Sequence, residues 1–191
     1  IGPGQLRPGA MKLQNTDGSG DNLVTSSDRT IIGDTNPDAS GGFGVNVRLY
    51  GFDLTANFTY SIGNDVYNAN KIEYTTGGTN TRYRNMIDIM ADGKRWTNLR
   101  ADGTISNDLD ELAAMNANTT MWSPWMNQNV LSSWAVEDGS FLRLSTLSLG
   151  YTMPRNIIKK IGLSNLRFYV TGYNLFCITG YSGFDPEVST R

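Results

Sequence analysis

Two runs of strict alternation dominate the pattern of apolar and polar positions. Phe43, Val45, Val47 and Leu49 alternate with Gly44, Asn46, Arg48 and Tyr50. After Gly51, the residues Phe52, Leu54, Ala56, Phe58 and Tyr60 alternate with Asp53, Thr55, Asn57, Thr59 and Ser61. A period of two sends successive side chains to opposite sides of a pleated strand, so the pattern predicts two strands with one apolar face each. A tight turn at Tyr50-Gly51 joins them. Pairing residues whose numbers sum to 101 sets Leu49 opposite Phe52, Val47 opposite Leu54, Val45 opposite Ala56 and Phe43 opposite Phe58. Every apolar side chain then shares one face, and Arg48 meets Asp53 on the other. A slip by one residue would scramble both faces, which specifies the register strongly. Tyr-Gly is not the preferred Asn-Gly turn; a four-residue loop with the same centre keeps the same pairing.

The strand signal returns at residue 131 and runs to 151. Leu142 and Leu144 share one phase while Leu147, Leu149 and Tyr151 share the other, which predicts a β-bulge near Ser145-Thr146. Residues 154–161 read as a short helix, with Pro154 in the first turn, Lys159 and Lys160 in the last, and Gly162 as the stop. Leu166, Phe168 and Val170 then alternate with Arg167, Tyr169 and Thr171 in a final strand. Residues 1–42 carry Gly, Pro, Asp and Asn punctuation and read as loop, with a short strand end at 11–13. Residues 63–130 are irregular and rich in Asn, Thr, Gly and Met, with short helices expected at 84–90 and 108–115. A connection of that length is too long for a plain link in a compact domain, which marks it as functional. Short turns therefore collect at one end of the sheet and long loops at the other. Outer-membrane barrels show this asymmetry, and so do sandwich domains.

Composition narrows the chemistry. The chain has 191 residues, enough for one domain, with 21 Gly and 39% hydrophobic residues. The formal net charge of −2 gives no electrostatic case for nucleic acid. No apolar run of about 18 residues exists, so no transmembrane helix is expected, whereas membrane strands need only short alternating segments. The single cysteine, Cys177, excludes an internal disulfide and a cysteine metal cluster; it reads as a small apolar filler. Histidine is absent, which removes Ser-His-Asp and Cys-His catalysis and the usual zinc sites. The first residue, Ile1, and the ending after a Tyr-Ser-Gly-Phe-Asp-Pro loop suggest a fragment of a longer protein.

Several segments occur together and in order: Asp28-Arg29-Thr30-Ile31-Ile32-Gly33 with Asn36-Pro37-Asp38, Gly51-Phe52-Asp53-Leu54, Gly63-Asn64-Asp65-Val66-Tyr67-Asn68, and Arg95-Trp96-Thr97. They continue with Val136-Glu137-Asp138-Gly139-Ser140-Phe141-Leu142-Arg143-Leu144, Leu149-Gly150-Tyr151-Thr152-Met153-Pro154, Asn174-Leu175-Phe176, and Tyr181-Ser182-Gly183-Phe184-Asp185-Pro186-Glu187. In this set the chain resembles the C-terminal region of SusC/RagA-type TonB-dependent outer-membrane transporters. The resemblance implies an all-β fold: antiparallel strands from the C-terminal part of a 22-stranded transmembrane β-barrel, with long extracellular loops carrying short helices. Residues 1–42 would be an extracellular loop region, 43–62 a hairpin, and 63–130 a long extracellular loop. Residues 131–177 would be a strand, a short periplasmic helical turn and a strand, and 178–191 a truncated extracellular loop. It further implies import of oligosaccharides or peptides across the outer membrane of a Gram-negative bacterium, without catalysis. The partners would be a SusD-like surface lipoprotein as lid, the TonB complex through parts outside this chain, and outer-membrane lipid. The apolar face would meet lipid, and Arg48, Asp53, Thr55 and Asn57 would face the lumen. A soluble extracellular β-sandwich that binds carbohydrate is the alternative, with the same apolar face as its core.

Asn15, Asp17, Ser19 and Asp21 place oxygen side chains at alternate positions, a spacing that lets one loop wrap Ca²⁺. The bidentate Glu twelve positions along is replaced by Ser26, so a plain polar turn is the competing reading; no other cofactor is indicated. Trp96, Trp122 and Trp125, with Tyr74 and Tyr83, lie in the long loop as candidates for substrate or lid contact; alternatively they pack the loop's own cluster. Trp134 reads as an aromatic-girdle residue at the membrane interface. Asp108, Asp110 and Glu111 suit the start of a helix better than a catalytic carboxylate cluster.

Overall fold

The computed structural model describes residues 8–20, 23–77, 85–125 and 131–187. The chain forms two compact units: Ile1–Ile32 with Asn68–Ala135, and Gly33–Tyr67 with Val136–Arg191.

The second unit is a sheet. Strands β1 (Ala39–Leu49), β2 (Phe52–Ile62), β5 (Phe141–Thr152) and β6 (Arg167–Thr179) form an antiparallel sheet in the order β1-β2-β5-β6. A two-stranded ladder pairs β3 (Asp65–Tyr67) with β4 (Val136–Asp138). The β1–β2 register is the one that the alternation dictates, from Leu49 opposite Phe52 to Phe43 opposite Phe58. It continues through Gly41 and Gly42 to Ala39 opposite Ile62, so β1 begins earlier than its glycines suggest. Gly41 lies under the Tyr60 ring, where an added Cβ would sit 3.0 Å from the hydroxyl. Tyr50 (φ 50°) and Gly51 (φ 90°) close the hairpin with two left-handed residues, the two-residue turn whose twist suits strand pairing.

The expected bulge is present. Asn57 pairs with Thr146 but Phe58 pairs with Leu144, leaving Ser145 unpaired. On the other side Leu144 pairs with Phe176 and Thr146 with Tyr173, so β6 sets two residues, Asn174 (φ 49°) and Leu175, against the single Ser145, one extra residue at the same level. This is how Leu142 and Leu144 reach the same face as Leu147, Leu149 and Tyr151 despite their opposite phase. After β5 the chain turns through α3 (Arg155–Ile158) and a 3-10 turn Lys159–Ile161, with Pro154 as N-cap and Gly162 at φ 76° as the stop.

Other expectations are corrected. The strand from 131 does not begin there: Ser133–Ala135 is a 3-10 turn of the first unit, and β4 ends at an Asp138-Gly139-Ser140 corner before β5 starts. Asp138 holds that corner by accepting the Ser140 amide at 2.8 Å, which interrupts the ladder. No strand forms at 11–13. Of the helix expected at 84–90, Asp88–Met90 is a 3-10 turn and Arg84 lies outside the described residues.

In the first unit, α1 (Ala69–Glu73) was not legible from the pattern; α2 (Leu109–Met115) starts at Asp108 as expected. Its core is small: Ile72, Met90, Leu112 and Ala135 are buried, together with the hydroxyls of Thr75 and Ser106. Thr75 satisfies its hydroxyl on the Lys71 carbonyl at 2.8 Å. No helix among the described residues is long and apolar enough to cross a membrane.

Candidate functional site

The four-stranded sheet has two unlike faces. On one, cross-strand neighbours are apolar throughout: Phe43 and Phe58 stack at 4.9 Å, the tilted rings of Phe52 and Tyr151 meet at 4.5 Å, and Val47, Leu54, Leu149 and Val170 form one row. Among the described residues of this unit, no second layer covers it. Val45 is 45% exposed, Phe168 60% and Val170 68%. The sandwich reading required these residues to be core, and the structure of this unit overturns it. A soluble monomer rarely exposes an apolar patch beyond a few hundred Å² (roughly, by any patch definition). An apolar sheet face that is left uncovered needs a medium or partner that is itself apolar.

The opposite face carries Asn46, Arg48, Asp53, Thr55, Asn57, Thr146, Ser148 and Thr171, the four expected inward-facing residues among them. These side chains bond to one another: Thr55 donates to Asn46 at 2.7 Å, and the hydroxyls of Thr59 and Ser145, and of Ser148 and Thr171, lie 2.9 and 3.0 Å apart. Arg48 is opposite Asp53 in register, but the guanidinium that binds Asp53 belongs to Arg167 of β6, with Nε at 3.1 Å and Nη2 at 2.5 Å. The bridge passes over Gly150 of β5. A Cβ there would lie 2.5 Å from Arg167 Nη2 and 2.7 Å from each Asp53 oxygen, so glycine is what lets the fork close. Cys177 is on this polar face, opposite Arg143, and not on the apolar one.

Four of the distinctive sequence segments, around Asp34, residues 63–68, residues 136–144 and residues 181–187, gather at the end of the sheet opposite the Tyr50-Gly51 turn. Asp34 and Asp65 exchange bonds, Asp34 N–H donating to the Asp65 carboxylate at 2.9 Å and Asp65 N–H to the Asp34 carbonyl at 2.7 Å. Gly63 N–H donates to the Ser140 hydroxyl at 2.9 Å, and Gly139 N–H to the Asn64 carbonyl at 2.7 Å. Glu137 accepts the amide and hydroxyl of Ser182, both at 2.8 Å. Arg143 donates to Asp185 and Glu187, each at 2.6 Å. These motif residues therefore fasten loops to strand ends. This role is not visible in the sequence pattern; the interleaved Asp, Ser and Gly were the available signal.

In the first unit the aromatic candidates divide. Trp122 meets Trp134 edge to face at 4.6 Å, and Lys71 sits 4.6 Å over the Trp134 ring while donating to its carbonyl at 2.9 Å. Trp134 thus packs inside this unit and is not a girdle residue on a strand. Trp96 lies against Gly9, whose added Cβ would fall 2.4 Å from the ring. Tyr74 is half-buried, and Tyr83 lies outside the described residues. Trp125 is 67% exposed, the tryptophan with an open ring.

The loop proposed for Ca²⁺ is organised by a carboxylate outside it. Asp28 accepts the amides of Thr16 at 2.6 Å, Asp17 at 3.1 Å and Thr25 at 2.7 Å, and these backbone donors hold its carboxyl below the usual carboxylate range. Asp17 accepts the Ser19 amide at 2.8 Å, and the Asn15 amide donates to the Leu23 carbonyl at 3.0 Å. Asp21 lies outside the described residues. Asp108 caps α2 by accepting the amides of Asp110 and Glu111. Glu111 takes both ends of the Arg100 fork at 2.6 Å and the Ser106 hydroxyl at 2.6 Å. That guanidinium, and then the hydroxyl, hold the Glu111 carboxyl down to about 2. A carboxylate so stabilised is an ion-pair partner and a poor general base. Among the described residues no group of three acidic or cysteine side chains is arranged to hold a metal ion.

No family profile matches the chain. The TonB-dependent receptor P3 of Formosa agariphila is 32% identical over 188 residues, covering 98% of this chain and 16% of the receptor. The TonB-dependent receptor SusC of Bacteroides thetaiotaomicron is 25% identical over 179 residues, covering 91% of this chain and 15% of SusC. Among solved structures, the RagAB peptide transporter superposes with a TM-score of 0.61 at 26% identity, over 86% of this chain and 17% of the other. The RagAB peptide importer in its closed-closed state gives 0.62, and in its open-open state 0.61, both at 24% identity. The chain thus spans about one sixth of the length of the curated relatives it matches.

Proposed function

We propose, from the premise that this chain belongs with the SusC/RagA-type TonB-dependent receptors, that it forms part of the barrel wall of an outer-membrane nutrient importer. The observation that carries the proposal is the sheet with one uncovered apolar face and one hydrogen-bonded polar face. TonB-dependent receptors are outer-membrane proteins of Gram-negative bacteria, and the relatives are receptors, not enzymes. In a 22-stranded barrel the apolar face meets hydrocarbon and the polar face lines the lumen. The strands of 11 to 13 residues suffice for a tilted crossing, which takes about 9–11. The unpaired edges of β1 and β6 pair with neighbouring strands of the same barrel, which alone removes sheet edges in lipid. The work of this segment is passive.

The substrate is an oligosaccharide or a peptide, the partner a SusD-like surface lipoprotein, and energy comes from TonB. The first unit lies outside the cell, with Trp125 as its open aromatic contact for substrate or lid. Ca²⁺ binding at Asn15, Asp17, Ser19 and Asp21 would compete with the Ser19 amide, which the Asp17 carboxylate already accepts in its own turn. The test is to purify the full-length protein from native outer membranes. It should co-purify with a surface lipoprotein, and uptake of its substrate should stop in cells lacking TonB. Recovery as a free soluble protein, or uptake indifferent to TonB, would refute the reading.

A further inference from the structure

We infer that residues 181–187 are a strap drawn back across the polar face of the sheet, with Arg143 as the residue that positions it. The segment leaves β6 at Thr179, whose hydroxyl donates to the Ser140 carbonyl at 2.8 Å. A connection free to leave the sheet would continue along the β6 axis. Here it is caught at two points instead. Glu137 of β4 takes Ser182 through both carboxylate oxygens. Arg143 of β5 then divides its guanidinium between Asp185, through Nη2, and Glu187, through Nε. The Arg143 side chain is 12% exposed and shares the polar face with its register partners Thr59 and Cys177. Both carboxylates must therefore come to that face to reach it.

The strap has its own shape. Asp185 accepts the Glu187 amide at 2.9 Å, and this bond, together with Arg143, holds its carboxyl below the usual range. The half-buried Tyr181 ring folds over Gly183, where a Cβ would come within 2.4 Å of it. Phe184, between the two anchor points, is left 95% exposed. The anchors are charge-assisted bonds, the stronger class, and one donor bound to two acceptors fixes direction as well as position. Arg143 thus sets where an open aromatic side chain stands. That this place is the lumenal mouth of a pore rests on the transporter reading; the strap itself stands on the geometry of the sheet.

The experiment uses the full-length protein, purified in detergent micelles. Cleavage by chymotrypsin after Phe184 is followed by mass spectrometry, with Phe184→Ala as the blank. Heat-dependent gel mobility reports separately whether a barrel has formed. Opening governs cleavage when the strap recloses quickly, so Arg143→Gln should raise the rate at least about tenfold. Arg143→Lys, which keeps the charge but not the fork, should fall between. Glu137→Gln and Ser182→Ala alter the first anchor outside the four-stranded sheet and should each raise the rate, the double variant no more than Glu137→Gln alone. If Arg143→Gln fails to form a barrel, the Glu137 and Ser182 variants decide. Cleavage at the native rate in folded Glu137→Gln and Arg143→Lys would overturn the strap. A native protein that shows no heat-modifiable barrel would instead overturn the transporter reading and leave the strap to be judged on the cleavage rates.

Discussion

At the scale of single residues, glycine at 150 does what no other side chain can. Asp53 and Arg167 lie two strands apart and meet only because Gly150 offers no Cβ between them. Gly150→Ala should therefore displace the fork and lower the protein's stability by about 1–3 kcal/mol, the usual range for overpacking, rather than the smaller worth of an exposed ion pair. The check is a denaturant midpoint of the full-length protein in micelles. The penalty should shrink in an Asp53→Ala background, where the space is vacated; an unchanged penalty would mean that the clash lies elsewhere. The alternation put Arg48 against Asp53 because it sees only the nearest strand. The true partner depends on a third strand, and pairing across an intervening glycine leaves no periodic trace.

At the scale of elements, local pattern was a reliable guide where the ladder is regular and a poor one where side chains replace it. The hairpin register, the bulge at Ser145, the capped start of α2 and the Pro154–Gly162 turn were all readable, because each is fixed by alternation or by a cap within a few residues. The β3–β4 ladder was not. Three-residue strands carry no period, and these are held by bonds such as Asp34 to Asp65 that join segments 31 residues apart. Trp134 was misplaced for a related reason: an apolar residue before a strand looks like its continuation until a partner, here Trp122, claims it. In the first unit, α2 is tied to residues 98–106 by Glu111. Residues Leu99 and Ile105 pair in an antiparallel bridge, while Arg100 and Ser106 turn the other way to the carboxylate.

This tie has a pH signature. The folded Glu111 carboxyl lies at about 2 against an ordinary 4.5, so it binds protons less readily folded than unfolded. Its contribution is complete above pH 4.5 and is lost as pH falls from there toward 2. Pepsin nicking between residues 98 and 115, scaled to an unstructured reference peptide, should accelerate over that window. Glu111→Gln should be nicked quickly already at pH 5 and lose most of the acceleration (pH 5 being just above the window, by roughly half a unit). A variant with the native acid profile would show that the fork does not hold α2.

At the scale of the whole molecule, the governing fact is that the apolar side chains of the sheet are gathered on a face that none of the described residues of their own unit covers. Sequence alone could not decide between a dry core and a lipid-facing wall, because the alternation is the same for both. The described residues leave that face uncovered within its own unit, which removes the dry core; the lipid-facing wall is the proposal that the uncovered face supports. What neither periodicity nor kinship contained is the fastening of the loops: the distinctive segments are spread through the chain, and only the sheet brings Glu137, Arg143, Ser182, Asp185 and Glu187 to one end.

The most direct measurement is residue-by-residue contact with hydrocarbon. In full-length protein reconstituted into liposomes, a fluorescent label is placed in turn at Val45, Val47, Leu149 and Val170, and at Thr55, Asn57, Ser148 and Thr171. A quencher dissolved in the acyl chains should dim the first set and spare the second. If the labels at Val45, Val47, Leu149 and Val170 are untouched by the lipid quencher, the apolar face does not meet the membrane and the account is contradicted.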